Sequence, residues 1–286
     1  MCDDKTERDN ETFLSRRQFT ALATATAVSA MLPTSAHAAP LTEVDVTINT
    51  PDGEADAYFV HPADTKAPAV LIWPDILGLR PAFRAMGKRL AGEGYAVLVV
   101  NPFYRSAKSP VVAEGASFKD QAVRDHVLPM AKALSAETHV TDAKAFVAFL
   151  DQHDAVDTQK KVGTMGYCMG GPMVMRTAAT LPDRLGAGAT FHGGGLATDA
   201  ADSPHLGIPN MKAQFLIAIA SNDDEQDPKS KETLRAAFEK AGLSAEIEVY
   251  QGVMHGWCPP DSSVYDEAQA EKAWARMLAL FEKALV

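Results

Sequence analysis

The sequence predicts an α/β fold with a mostly parallel central sheet and helices on both faces. Three observations predict it. Ala69–Trp73 and Ala96–Val100 are unbroken apolar runs of the kind found in strands buried on both faces. Segments of helical periodicity alternate with such runs along the chain. At 286 residues the chain is long enough for one large core of this class.

The elements follow in order. Residues 42–48 alternate polar and apolar, as a half-buried strand does. Pro51, Asp52 and Gly53 supply turn chemistry, and residues 55–60 read as the returning strand of a hairpin. After the run Ala69–Trp73, Pro81–Gly92 has helical spacing, with Phe83, Met86 and Leu90 on one face. Ala96–Val100 is the next buried strand. Residues 101–118 lack periodicity and are expected to form a loop bordering the site. Residues 119–153 are expected to be mostly helical, with a break at Pro129. Residues 162–165, 186–191, Gln214–Ala220 and Ala245–Tyr250 read as further strands. A long loop (192–210) and a helix over 229–241 separate the later ones, and a helix over 265–285 closes the chain. No repeat, low-complexity tract or linker divides residues 39–286, which are read as one domain.

Composition sets limits on function. The formal net charge of -10 argues against general nucleic-acid binding, which needs clustered Lys and Arg. Beyond the N-terminal segment, no uncharged apolar run approaches the roughly 18 residues of a membrane span. That segment has the order of an export signal. Arg16 and Arg17 precede a small, mildly apolar run over 20–32, and Ala36-His37-Ala38 offers a small-x-small cleavage site. Residues 1–38 are therefore expected to be a twin-arginine signal, recognised by the twin-arginine export machinery. The mature domain would begin near Ala39, reside in the oxidising periplasm without a stable membrane anchor, and retain Cys168 and Cys258.

Chemistry concentrates in Gly166-Tyr167-Cys168-Met169-Gly170-Gly171. A G-x-nucleophile-x-G turn between a strand and a helix is the nucleophile elbow of α/β-hydrolases. Its glycines let strand and helix crowd together, lifting the central side chain to the helix N-terminus, where the dipole favours a thiolate. A buried structural role is the commonest fate of a cysteine, but the elbow marks Cys168 as the nucleophile. In this fold an acid and then a histidine follow later in the chain. Asp223 and Asp224 lie just after one strand, and Asp223, nearer the strand end, is the preferred acid. His255, in a Gly-flanked loop after the next strand, is the expected general base.

With these motifs the chain resembles the dienelactone hydrolase family over most of residues 42–286. The shared features are the hairpin start, G-Y-C-M-G-G, the Asp loop, and G-x-x-H-G-W before a terminal helix. The resemblance implies an α/β-hydrolase fold and hydrolysis of an ester or lactone by a Cys-His-Asp triad, with no metal or other cofactor. It also implies that the backbone N–H groups of Ile76 and Met169 form the oxyanion hole. An acid after the Ala69–Trp73 strand, usually Glu in the family and Asp75 here, would pair with the resting thiol; the alternative for Asp75 is an N-terminal helix cap. Arg105, beside Tyr104, matches one family arginine that binds a substrate carboxylate. The second falls at Pro259 and is missing, with Arg80 as a substitute or a solvated surface residue.

His192-Gly193-Gly194-Gly195 resembles a lipase oxyanion motif but follows the nucleophile, whereas that motif precedes it. It is read as a flexible pocket wall, with His192 touching substrate. Cys258 is either a buried apolar residue or a disulfide partner that would switch Cys168 off. The expected activity is thus ester or lactone hydrolysis through an acyl-cysteine. The rival is a non-catalytic or redox-regulated periplasmic binding protein on the same fold.

Overall fold

The computed structural model describes residues 6, 8–10 and 40–286. The twin-arginine pair, the apolar run and the cleavage site lie outside the described residues. Strands β1 (Leu41–Thr50) and β2 (Gly53–Pro62) form the expected hairpin, paired through the register Thr50↔Gly53. The chain continues through β3 (Ala69–Trp73), helix α1 (Pro81–Gly92) and β4 (Ala96–Val100). Helices α2 (Gln121–Lys132) and α3 (Ala136–Gln152) then lead to β5 (Val162–Tyr167) and α4 (Gly170–Thr180). The remaining elements are β6 (Leu185–Phe191), a 3-10 helix (Pro204–Asn210) at the end of the expected loop, β7 (Gln214–Ala220), α5 (Ser221–Gln226), α6 (Ser230–Ala241), β8 (Ala245–Tyr250) and α7 (Glu267–Ala284).

One sheet results, in the order β1-β2-β4-β3-β5-β6-β7-β8. Pairs β1–β2 and β2–β4 are antiparallel; every pair from β4–β3 to β7–β8 is parallel. The unbroken apolar runs are explained by burial on both faces. Along β3, Leu71 and Trp73 join one core with Phe146 and Leu150 of α3, Val174 of α4 and Phe238 of α6. Val70 and Ile72 join the opposite core with Phe83 and Leu90 of α1 and Trp274, Met277 and Phe281 of α7. Alternate side chains of one strand thus feed two cores, so a polar residue at either parity would be buried without water.

The parallel register also positions the site. Trp73 pairs with Gly166, Tyr167 with Phe191, Phe191 with Ala218, and Ala220 with Tyr250. The C-terminal ends of β3, β5, β6, β7 and β8 therefore share one edge of the sheet. The chain reverses direction across the sheet between β3 and β5, and ligands of open α/β sheets bind in the crevice at such a switch.

Two local expectations are corrected. Pro129 does not break its helix: α2 runs through it to Lys132, and the interruption comes at residues 133–135. Pro129 removes the one backbone bond that its N–H would have made, and the helix ends soon after it. Ser135 then starts α3 with a capping box, its side chain accepting from Thr138 N–H at 3.2 Å while Thr138 Oγ1 accepts from Ser135 N–H at 2.8 Å. The carboxylate-rich loop after β7 is also helical at its start, as α5. Residues 101–118 do lack helix and strand, and Phe103, Val111 and Phe118 pack with Ile76, Val127 and Met130 in a third apolar cluster. We expect Ser135→Ala to destabilise the protein by about 1 kcal/mol. The measurement is the urea midpoint at unchanged m; no shift would show that the capping box does not hold this junction.

Candidate active site

Cys168 stands between β5 and α4 with φ of 51°. A non-glycine residue in this region is strained, and such strain collects at functional sites. The elbow glycines account for how it is held. A Cβ on Gly166 would lie 2.5 Å from the Gly170 carbonyl oxygen, and one on Gly170 would lie 2.4 Å from the Trp73 oxygen. Both contacts are with backbone, so neither position admits a side chain without moving β3, β5 or α4.

His255 lies 4% exposed in the loop after β8. Its Nδ1 is 2.9 Å from both carboxylate oxygens of Asp223. Its backbone N–H donates to Asn222 Oδ1 at 2.8 Å, so two successive residues of α5 fix the loop and the ring. Asp224 turns away and receives Lys231 Nζ at 2.5 and 2.7 Å. Of the two candidate acids, Asp223 is therefore the one that meets the imidazole. Burial disfavours charge on His255, but Asp223 and then Cys168 in its thiolate form outweigh it and push its pKa up to about 10. The same ring is within hydrogen-bonding reach of Cys168. Sulfur, imidazole and carboxylate thus form one connected line, brought together by the ends of β5, β7 and β8.

A cavity of about 250 Å³ opens over this line, bordered by Ile76, Phe118, Cys168, His192, His255 and Arg80, among others. Among the described residues, the backbone N–H groups of Ile76 and Met169 make no backbone hydrogen bond in the turns around them. Asn10, in the segment that the export reading removes, also borders the cavity and donates to the His255 carbonyl at 3.2 Å. No cluster of three His, Cys, Asp or Glu residues fit to hold a metal occurs among the described residues.

Several sequence expectations move. Asp75 does not cap α1, whose cap position is Arg80. Its carboxylate receives Arg80 through both oxygens, at 2.6 and 2.9 Å, and Leu77 N–H at 2.9 Å. Arg80 is no solvated surface residue: it is 7% exposed, and Asp261 takes its remaining edge at 2.7 and 2.9 Å. Arg105 and Tyr104 do not border the cavity. Arg105 is bound by Asp142 and Asp52, and the Tyr104 hydroxyl by Asp142 and Thr50, so both serve the junction of the hairpin with α3. Nor are the three glycines after His192 a free wall. A Cβ on Gly171 would come within 2.8 Å of Gly193 Cα, so that segment packs against α4. Cys168 and Cys258 form no disulfide with each other; Cys258 is buried beside Trp257 and Tyr250, and burial pushes its pKa up. Sequence reasoning missed Asn222 and Asp261, since neither lies in a motif and each acts through a pairing fixed only by the fold.

A strained elbow at the crossover of a mostly parallel sheet, with a buried His–Asp pair on later strand ends, defines an α/β-hydrolase. Known proteins narrow the class. A profile of the dienelactone hydrolase family matches residues 55–285, and the chain belongs to that family of ester and lactone hydrolases. A Salmonella typhi protein provisionally named carboxymethylenebutenolidase is 26% identical over 265 residues, 90% of this chain and 94% of that one. The carboxymethylenebutenolidase of Rhodococcus opacus is 24% identical over 254 residues, 86% of this chain and 95% of the other. Among solved structures, the dienelactone hydrolase-like promiscuous phosphotriesterase P91 from metagenomic libraries superposes with a TM-score of 0.71 at 19% identity, covering 86% of this chain and 99% of its own.

The electrostatics yield a test. Asp223 is the largest influence holding the proton on His255, so its removal must lower that pKa. We expect the His255 ring to titrate near pH 10 by NMR and Asp223→Asn to bring its midpoint down toward the ordinary histidine value. An unmoved midpoint in the variant would mean that the pairing does not govern the ring.

Proposed function

We propose that this chain hydrolyses small, uncharged esters or lactones through an acyl-cysteine intermediate. The observation that carries the reading is the placement of one buried imidazole between the Cys168 thiol and the Asp223 carboxylate. In the resting enzyme His255 holds the proton and Cys168 is the thiolate. The thiolate attacks the acyl carbon, and the negative charge passes to the carbonyl oxygen. The N–H groups of Ile76 and Met169 stabilise that oxyanion. Collapse breaks the C–O bond; the leaving alkoxide takes the proton from His255, and in a lactone it stays tethered to the acyl group. His255, now neutral, removes a proton from water, whose oxygen attacks the thioester. Collapse of that second tetrahedral species releases the carboxylic acid, which ionises by giving its proton to water, and restores the thiolate and imidazolium.

Substrate charge follows from the cavity wall. Arg80 is the guanidinium among the described residues bordering the cavity, and two aspartates, Asp75 and Asp261, already occupy it. No free guanidinium fork remains there for a substrate carboxylate, and with His255 charged and Cys168 a thiolate the lining carries two positive charges against three negative. The cavity volume suits a short acyl group. We expect a neutral lactone or aryl ester to exceed its carboxylate-bearing analogue by about tenfold or more in kcat/KM. Cys168→Ala should lose about 10³-fold or more on both. Preference for the charged analogue would remove the charge argument, and full turnover by Cys168→Ala would remove the mechanism.

We further propose that the domain reaches the periplasm by twin-arginine export, supported by the order of arginine pair, apolar run and Ala36-His37-Ala38. Replacing Arg16 and Arg17 together by lysine should retain the full-length chain in the cytoplasm on fractionation. Equal periplasmic yield from that variant would end the export reading.

A further inference from the structure

Residues 6 and 8–10 are helical and precede the twin-arginine pair, yet they lie against the site. Thr6 and Asn10, one helical turn apart, are both buried, whereas Arg8 is exposed and Asp9 half-buried. Residues four apart share a face of a helix, so one side of this turn is laid on the domain. Two contacts show where. Asn10 borders the cavity together with Cys168 and His255, and its Nδ2 donates to the His255 carbonyl at 3.2 Å. Asp9 Oδ2 accepts from Gln226 Nε2 at 3.4 Å, on the helix α5 that carries Asp223. The turn therefore touches both the loop that holds the base and the helix that holds the acid. No step of the proposed chemistry uses it.

We propose that this N-terminal turn is an internal cover of the active site, which narrows the way to Cys168 while it is joined to the domain and leaves once the peptide bond after Ala38 is hydrolysed. In the export reading a signal-processing peptidase adds water across that bond, after the domain has folded and crossed the membrane with residues 1–38 attached. The precursor is thereby restrained in the cytoplasm and released in the periplasm. The inference rests on that reading for its timing and on the acyl-cysteine reading for its consequence. The chemistry of the contact suits a removable part. Asn10 buries its Oδ1 without a hydrogen-bond partner, a cost that disappears when the turn leaves. Docking is nonetheless favoured in the uncut chain, because tethering raises the effective concentration of the turn to about millimolar. Cutting the tether lowers it to the bulk concentration of the peptide. The domain loses no strand by the departure, since the sheet is built from β1 at Leu41 to β8 at Tyr250.

The test reads access to the sulfur and needs no substrate. Full-length protein with a specific protease site placed after residue 38 is purified folded, so the cut is made on the native state. The iodoacetamide rate at Cys168 is measured by peptide mass spectrometry before and after the cut. We expect the cut to raise it by about tenfold, with kcat/KM on a neutral aryl ester rising in parallel. In the uncut chain, Asn10→Glu sets a carboxylate against the His255 carbonyl and should release the turn, bringing the rate to that of the cut protein. A carboxylate that stayed docked beside a thiolate would slow alkylation, so a rise reports release. Equal rates before and after the cut, or no rise in Asn10→Glu, would overturn the cover. Faster alkylation after the cut without ester turnover in either form would uphold the cover and remove the acyl-cysteine reading instead.

Discussion

The contact between the His255 ring and the Asp223 carboxylate is what the geometry of the site depends on. Without a carboxylate, an imidazole 4% exposed would shed its proton, since burial penalises its charge. With Asp223 at 2.9 Å the balance reverses, and a cation can persist inside the protein. Placing that cation beside Cys168 favours a thiolate by the same Coulomb argument. The cost of burying three titratable groups is thus met by aligning them, each offsetting the next. Neither the imidazolium nor the thiolate would keep its charge there alone.

Such alignment requires backbone precision, and the parallel sheet supplies it. Elbow, acid and base come from chain segments tens of residues apart, but each follows a strand whose register is locked to its neighbour. Asn222 adds a second constraint by accepting the His255 backbone N–H, so the loop cannot pivot about the single Asp223 contact. The positive φ of Cys168 and of His192 fits this picture. Strain at two adjacent strand ends persists only where the surrounding packing over-determines the backbone.

Much of this was legible in the sequence because it depends on local chemistry. Buried strands were visible as unbroken apolar runs such as Ala96–Val100. The elbow was visible because close approach of strand to helix demands glycine at 166 and 170, and no other residue satisfies it. Order along the chain found Asp223 and His255, since each loop follows a recognisable strand. What stayed hidden were pairings between distant residues. Arg105 sits in a motif-like segment, yet Asp52 and Asp142 hold it away from the cavity, and nothing local announces those partners. Pro129 misled in the opposite way. Proline reads as a break, but its penalty depends on how many helical bonds lie beyond it, and here the helix was already ending.

Asp75 shows how a short acid settles into its surroundings. In the loop after Trp73 its carboxylate takes Leu77 N–H. It also meets Arg80, five residues on, in a two-pronged pair. Asp261 completes the enclosure, so the guanidinium faces the cavity with its charge already answered. Asp75, Arg80 and Asp261 all border the cavity, so this paired cluster is a surface that a bound substrate would meet. The preference for uncharged acyl groups proposed above rests on that pairing, because no guanidinium is held in reserve for a carboxylate.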